Sequence, residues 1–169
     1  AKKFLKPRNT GIGNLFLGNK RSKIYREPFG VIGIISPWNY PFGIPFSEII
    51  MALLAGNSVV LKVASNTQMV GRKLQDCFTA ANLPDNVFNY VNISGSEAGD
   101  LFLENEIDKL FFTGSTATGK ILMQKAGESL TPIVLELGGN DAMLVCKDAD
   151  LYKAVMGAIW GGFSNAGQS

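Results

Sequence analysis

Three observations predict an α/β fold built on an open, mostly parallel sheet, with an N-terminal β-hairpin before it and the first elements of a second α/β domain after it. Short apolar runs alternate with longer stretches of helical apolar spacing, four times between Val31 and Ala126. The first of these runs, Gly30 to Ile35, is continuously apolar, as in a strand covered on both faces. Gly, Pro, Ser and Asn gather between them, where turns and helix caps belong. The chain has 169 residues, 46% of them apolar, with 16 basic against 14 acidic side chains. That suits one sizeable core and is too short for two full domains.

The elements follow in order. Residues 2–5 read as the tail of a helix stopped by Pro7. Residues 14–18 and 22–26 are expected to pair as a hairpin across Gly18-Asn19-Lys20-Arg21. Strands are expected at 30–35, 58–62, 87–91, 108–112 and 133–137, and a further one at 142–146. Helices are expected at 42–54, at 96–103 opened by Ser96 and Glu97, from Ser115 to about Gly127, and at 151–163. Another helix follows Ser65-Asn66-Thr67-Gln68, whose spacing matches a capping box, with Met69, Leu74, Cys77, Phe78 and Ala81 on its apolar side. The change of character at Gly138-Gly139 divides the chain into 1–27 (helix end and hairpin), 28–137 (dinucleotide-binding domain) and 138–169 (start of a catalytic domain).

Composition excludes several function classes. Histidine is absent, which removes Ser-His-Asp and Cys-His pairs and His-based zinc sites; no metal site is expected. Cys77 and Cys146 lie in apolar runs and are expected as packed thiols in a reducing, cytoplasmic setting. Eight basic residues precede the first acid, Glu27, but no aromatic platform is interleaved with them, so no nucleic-acid partner is expected. No apolar run is long enough for a bilayer, and no membrane partner is expected.

Four places can carry chemistry. Gly114 and Ser115 form a strand-to-helix turn whose free N–H groups and hydroxyl suit a phosphate, or serve as an ordinary Ser cap. Lys62 ends a buried strand, where open sheets bind ligands; its cation suits a ribose hydroxyl or a phosphate. Ser65 beside it leaves room for a 2′-phosphate that a carboxylate would repel, which favours NADP modestly over NAD. Glu136, in an otherwise apolar strand, is expected to be buried with a raised pKa, as suits a general base; a structural Glu held by backbone N–H groups is the other reading. Asn39 follows a buried strand end and can donate its amide to a developing oxyanion, or simply make a turn.

Taken together, Ser36-Pro37-Trp38-Asn39-Tyr40-Pro41, Leu61-Lys62, Phe112-Thr113-Gly114-Ser115-Thr116, Glu136-Leu137-Gly138-Gly139 and Asn165-Ala166-Gly167-Gln168-Ser169 resemble motifs of the NAD(P)-dependent aldehyde dehydrogenase superfamily. The resemblance implies a Rossmann-like domain binding NADP or NAD. It makes Asn39 the oxyanion donor within the segment that also brings Ser36 and Trp38 to the cofactor. Lys62 and Ser65 would meet the adenosine ribose, with Gly95 and Gly99 bordering the short helix beside the adenine. Phe112, Gly114 and Ser115 would line the pyrophosphate site, and Glu136 would be the general base, with Leu137 facing the nicotinamide. Val63 in place of a usual proline and Asn140 in place of a common lysine depart from the pattern.

The resemblance further implies that the chain ends just before the catalytic cysteine and is inactive by itself. The intact enzyme would oxidise an aldehyde, with succinate semialdehyde one candidate, to a carboxylic acid. Its expected partners are other copies of itself, bound through the hairpin element, or a complementary C-terminal segment. The alternative is a stand-alone nucleotide-binding or scaffold module that assembles with a partner chain.

Overall fold

The computed structural model describes residues 2–10, 18 and 20–169. Five parallel strands form the central sheet: β3 (Val31–Ile35), β4 (Ser58–Lys62), β5 (Phe88–Tyr90), β6 (Lys109–Thr113) and β7 (Ile133–Glu136), in the order β5-β4-β3-β6-β7. Between them run α2 (Gly43–Leu54), α3 (Gln68–Ala80), α4 (Gly95–Glu104) and α5 (Thr116–Ser129).

The side-chain alternation of the strands sorts the core into two layers. Ile32, Ile34, Val59 and Leu61 pack with Ile49 and Ala52 of α2 and Leu74 of α3. Ile35, Leu110 and Phe112 face the other way, onto Ala98 and Phe102 of α4 and Leu122 of α5. Each fully buried Ile or Leu contributes about 1.5–3 kcal/mol relative to an exposed one. Glycine makes one close approach possible here: a Cβ on Gly99 would lie 2.3 Å from Leu122 Cδ2, so α4 and α5 meet only because that position is bare.

The N-terminal elements are α1 (Lys2–Leu5) and a two-stranded antiparallel sheet of β1 (Arg8–Thr10) and β2 (Ser22–Ile24). The expected partner of the 22–26 strand was 14–18; instead Arg8 pairs with Ile24 and Thr10 with Ser22. Residues 14–17 lie outside the described residues.

Other expectations need correcting. Residues 142–146 form no strand: the stretch from Leu137 to Asp150 has no regular structure, and Met143, Leu144 and Val145 are exposed, with no strand among the described residues paired to them. Ser94, not Ser96, caps α4, its Oγ accepting from the Glu97 N–H. Ser65–Thr67 form a 3₁₀ turn before α3 with no side-chain cap, and the Thr67 hydroxyl donates back to the Ala64 carbonyl instead. Cys77 and Cys146 are exposed free thiols, not packed ones: Cys77 lies on the outer side of α3 and Cys146 in the irregular stretch. Met69 and Ala81 are exposed as well, which leaves Leu74 and Phe78 to anchor α3.

Beyond the sheet, α6 (Leu151–Phe163) starts at Asp150, whose carboxylate accepts from the Lys153 N–H. No residue of α6 is buried, and Trp160 is 77% exposed. A 3₁₀ turn, Ser164–Gly167, follows, with three successive left-handed residues: Asn165 (φ 50), Ala166 (φ 56) and Gly167 (φ 75). Among the described residues no helix is long and apolar enough to cross a membrane.

Candidate active site

All five parallel strands end on one edge of the sheet, and the direction of strand addition reverses between β3 and β6. Open α/β sheets bind ligands in the crevice at such a reversal. The loops that flank it here are Ser36–Tyr40 after β3 and Gly114–Ser115 after β6. The register sets the edge level: Ile35 lies between Lys62 and Phe112, and Thr113 lies opposite Glu136.

On the α4/α5 side of this edge lies a cavity of about 360 Å³, lined by Ile35, Gly95, Gly99, Phe112 and Ile121 among others. Lys62 is only 5% exposed, and burial lowers its pKa. Its Nζ comes to 3.5 Å from where a Gly95 Cβ would stand, so it reaches the opening of α4 over a bare backbone position. Gly95 is the first residue of α4, whereas Gly99 lies within the helix rather than bordering it. Ser36 is buried, its N–H donating to the Lys62 carbonyl at 2.9 Å, and its hydroxyl has no partner among the described residues. A buried orphan hydroxyl and a buried ammonium at one sheet edge suit a polar ligand better than an apolar one. Ser115 is exposed and caps α5, its Oγ accepting from the Thr118 N–H at 3.2 Å. Gly114 donates to the Glu136 carbonyl at 3.0 Å, and Ser65 and Trp38 are exposed at the same edge. This donor set of lysine, hydroxyls and a helix N-terminus fits an anionic dinucleotide.

Asn39 takes a different neighbour. Its Nδ2 donates to the Gln168 carbonyl at 2.7 Å, while Asn165 Nδ2 donates to the Asn39 carbonyl at 2.8 Å. The Tyr40 hydroxyl is hydrogen-bonded to Ser169 Oγ. The 164–169 loop is thereby fastened onto the loop after β3.

The carboxylate chemistry differs from the expectation. Glu136 is exposed, at the end of the edge strand β7, rather than buried. The buried carboxyl is Glu48 on α2, 8% exposed, which sequence reading missed. The signal was present: Pro45, Glu48, Ile49 and Ala52 share one helical stripe, so an acid sits on the buried face. Thr113 Oγ1 donates to Glu48 Oε1 at 3.4 Å, while Oε2 is buried without a partner among the described residues. Burial, reinforced by the charge of Glu136 and opposed by the Thr113 hydrogen bond, raises the Glu48 pKa to about 7. Glu48, Thr113, Glu136 and Leu137 line a cavity of about 430 Å³ on the α2 side of the edge. Among the described residues no cluster of His, Cys, Asp or Glu is arranged to hold a metal ion.

A sequence model described as the Aldehyde dehydrogenase family matches residues 5–169. The chain belongs to the aldehyde dehydrogenase family. It is 43% identical over 147 residues to a 4,4'-diapolycopene aldehyde oxidase of Methylomonas sp, a match covering 87% of this chain and 28% of that protein. It is 40% identical over 146 residues to a D-glyceraldehyde dehydrogenase (NADP(+)) of Thermoplasma acidophilum, covering 86% and 30% respectively. The chain thus spans about three-tenths of the length of the curated relatives it matches.

The aldehyde dehydrogenase fold is equally clear in three dimensions. The structure of a succinate-semialdehyde dehydrogenase from Burkholderia pseudomallei superposes with a TM-score of 0.92 at 34% identity, covering 99% of this chain and 34% of that one. The NAD+ complex of an aldehyde dehydrogenase from bacillus cereus gives 0.90 at 35% identity, covering 99% and 33%. These similar proteins thus include one described as NADP(+)-dependent and one solved in complex with NAD+.

Proposed function

We propose that this chain is the dinucleotide-binding part, and the beginning of the catalytic part, of an enzyme that oxidises an aldehyde to a carboxylic acid with NADP or NAD. Residues 28–137 would form the first unit and 138–169 the start of the second. The observation that carries the reading is the hydrogen bond from Asn39 Nδ2 to the Gln168 carbonyl. It sets the proposed oxyanion donor against the Asn165–Ser169 loop, which by its motif adjoins the nucleophilic thiol.

In this mechanism a cysteine thiolate, supplied next to that loop, bonds to the aldehyde carbon. The carbonyl π electrons move onto oxygen, and the Asn39 amide donates to the resulting oxyanion. As the oxyanion's electrons re-form the C=O, hydride leaves the aldehyde carbon for the acceptor that a bound dinucleotide would supply, and a thioester remains on the cysteine. Lys62, Ser36 and the Ser115 turn hold the anionic end of the cofactor, on the side of the edge away from the carboxylates. Glu136 takes a proton from water as its oxygen bonds to the thioester carbon, and the thiolate leaves with the C–S electron pair. Exposure of Glu136 keeps its carboxylate accessible to that water.

NADP is the favoured cofactor, because the ribose end presents Lys62 and Ser65 with no carboxylate of their own; the NADP(+)-dependent relative supports this. A small semialdehyde such as succinate semialdehyde is the substrate class we favour, on the likeness to the Burkholderia enzyme. The β1–β2 ribbon would join copies of the enzyme into an oligomer, and two free thiols accord with a reducing, cytoplasmic setting.

The test is aldehyde-dependent reduction of NADP or NAD by the full-length protein, with the isolated chain as an inactive control. Asn39→Ala should lower kcat by roughly 10²–10³-fold. A folded full-length protein that reduces neither cofactor with any of a panel of aldehydes would end the proposal.

A further inference from the structure

We infer that Glu48 is the protonated partner of Glu136: its carboxyl, enclosed between α2 and the ends of β6 and β7, donates its O–H to the Glu136 carboxylate and fixes the oxygen left free to take a proton from water. The inference rests on the reading of Glu136 as general base, and it makes Glu48 a positioning residue for that base.

Geometry places the two acids together. Thr113 and Glu136 are register partners on parallel strands, and such partners project from the same face of the sheet. Thr113 uses that face to donate to Glu48 Oε1, so Glu136 projects toward α2 as well. Both acids line the same cavity, together with Ile44, Met51 and Val134. The other Glu48 oxygen, Oε2, is buried and has no hydrogen-bond partner among the described residues.

The surroundings decide the charge state. Glu48 is the only ionisable residue of α2, and β3 contributes none. From β4, Lys62 projects to the opposite side, toward Gly95. From β6, Lys109 faces the α2 side but is at the far end of the strand, its ammonium 4.6 Å from the centre of the Phe29 ring. From β7 comes Glu136, a like charge. Among the described residues, then, no cation offsets an ionised Glu48, and burial and Glu136 together hold it protonated up to about pH 7. A buried neutral acid has one O–H to place, and the Glu136 carboxylate is the charged acceptor that lines its cavity. The Glu136 charge thereby acts on the Glu48 proton across the cavity they share. When Glu136 takes a second proton from water, its exposed side returns that proton to solvent, and Glu48 keeps its own.

The experiment uses the full-length protein with propionaldehyde and NADP. Wild-type kcat should fall as pH rises through about 7, where Glu48 ionises, loses its donor hydrogen and repels Glu136. Glu48→Gln keeps an N–H donor and cannot ionise, so that inflection should vanish. Glu48→Ala should lower kcat about tenfold at pH 6, with Gln at the same position restoring most of it. Independently of turnover, ¹³C-glutamate NMR of the apo protein should show a carboxyl titrating near 7 that is absent in Glu48→Gln. In Glu136→Gln that titration should move down by about half a unit or more. A pH profile unchanged in Glu48→Gln, or a Glu48 titration indifferent to Glu136→Gln, overturns the pairing. Full turnover by Glu136→Gln instead overturns the general-base reading, while a persisting coupled titration would leave the two acids paired.

Discussion

The two sides of the sheet edge differ in sign. On the α4/α5 side two glycines and the Lys125–Asp100 ion pair line a cavity, Lys62 reaches toward Gly95 at its rim, and the packing there depends on absent side chains. On the α2 side two carboxyls share a cavity, and one of them is buried deeply enough to hold its proton. One side suits an anion; the other suits a base that must not attract one. The sheet keeps these environments a strand's thickness apart while both open at the same edge. Strand alternation alone achieves this: Phe112 and Thr113 are adjacent in sequence and line opposite cavities.

Removing the base should break the contrast most severely. Glu136→Gln is expected to reduce steady-state turnover by about 10²–10⁴-fold while a first-turnover burst of reduced cofactor survives; loss of the burst as well would put Glu136 in an earlier step. On the cationic side, Lys62→Ala should raise the KM for NADP by roughly 10–100-fold with a smaller change in kcat, the scale of one lost hydrogen bond to a charged group. An unchanged KM in steady-state kinetics would remove Lys62 from the cofactor.

Stability measurements sharpen the comparison further. The folded pKa of Glu48 lies above its unfolded value, so its favourable contribution is complete below the ordinary carboxylate range and is lost as pH rises through about 7. Denaturant unfolding of the full-length protein should therefore show wild type losing on the order of 1–3 kcal/mol more than Glu48→Gln between pH 4.5 and 8. Gly99→Ala should destabilise by about 1–3 kcal/mol, because the new Cβ overlaps Leu122. Gly127→Ala, in the same helical pair but facing open space, should instead stabilise by about 0.5–1 kcal/mol.

Much of this was legible in the residues themselves. The five parallel strands announce themselves by short, mostly apolar runs between turn residues, and α6 begins and ends where its periodicity does, because local pattern and cap residues agree there. The failures have physical causes. Residues 142–146 are apolar enough for a strand, but a strand needs a neighbour, and none of the five takes it up. Arg8–Thr10 carries no strand-like alternation, and its pairing with β2 is a long-range choice that turn signals at 18–21 could not reveal. Glu136 looked buried because its strand neighbours are apolar, yet β7 is an edge strand and Glu136 ends it. Glu48 looked ordinary until the helix was wound and its stripe compared with the sheet behind it.

The left-handed stretch at Asn165, Ala166 and Gly167 coils the backbone against the hand of the helix that precedes it. Left to continue, α6 would carry the chain onward along its axis. This counter-twist, about 1–2 kcal/mol unfavourable at each residue that is not glycine, instead folds Gln168 and Ser169 back onto Asn39 and Tyr40. A β-branched residue at position 166 would resist that reversal, and the tip of the loop would swing clear of the amide it now touches.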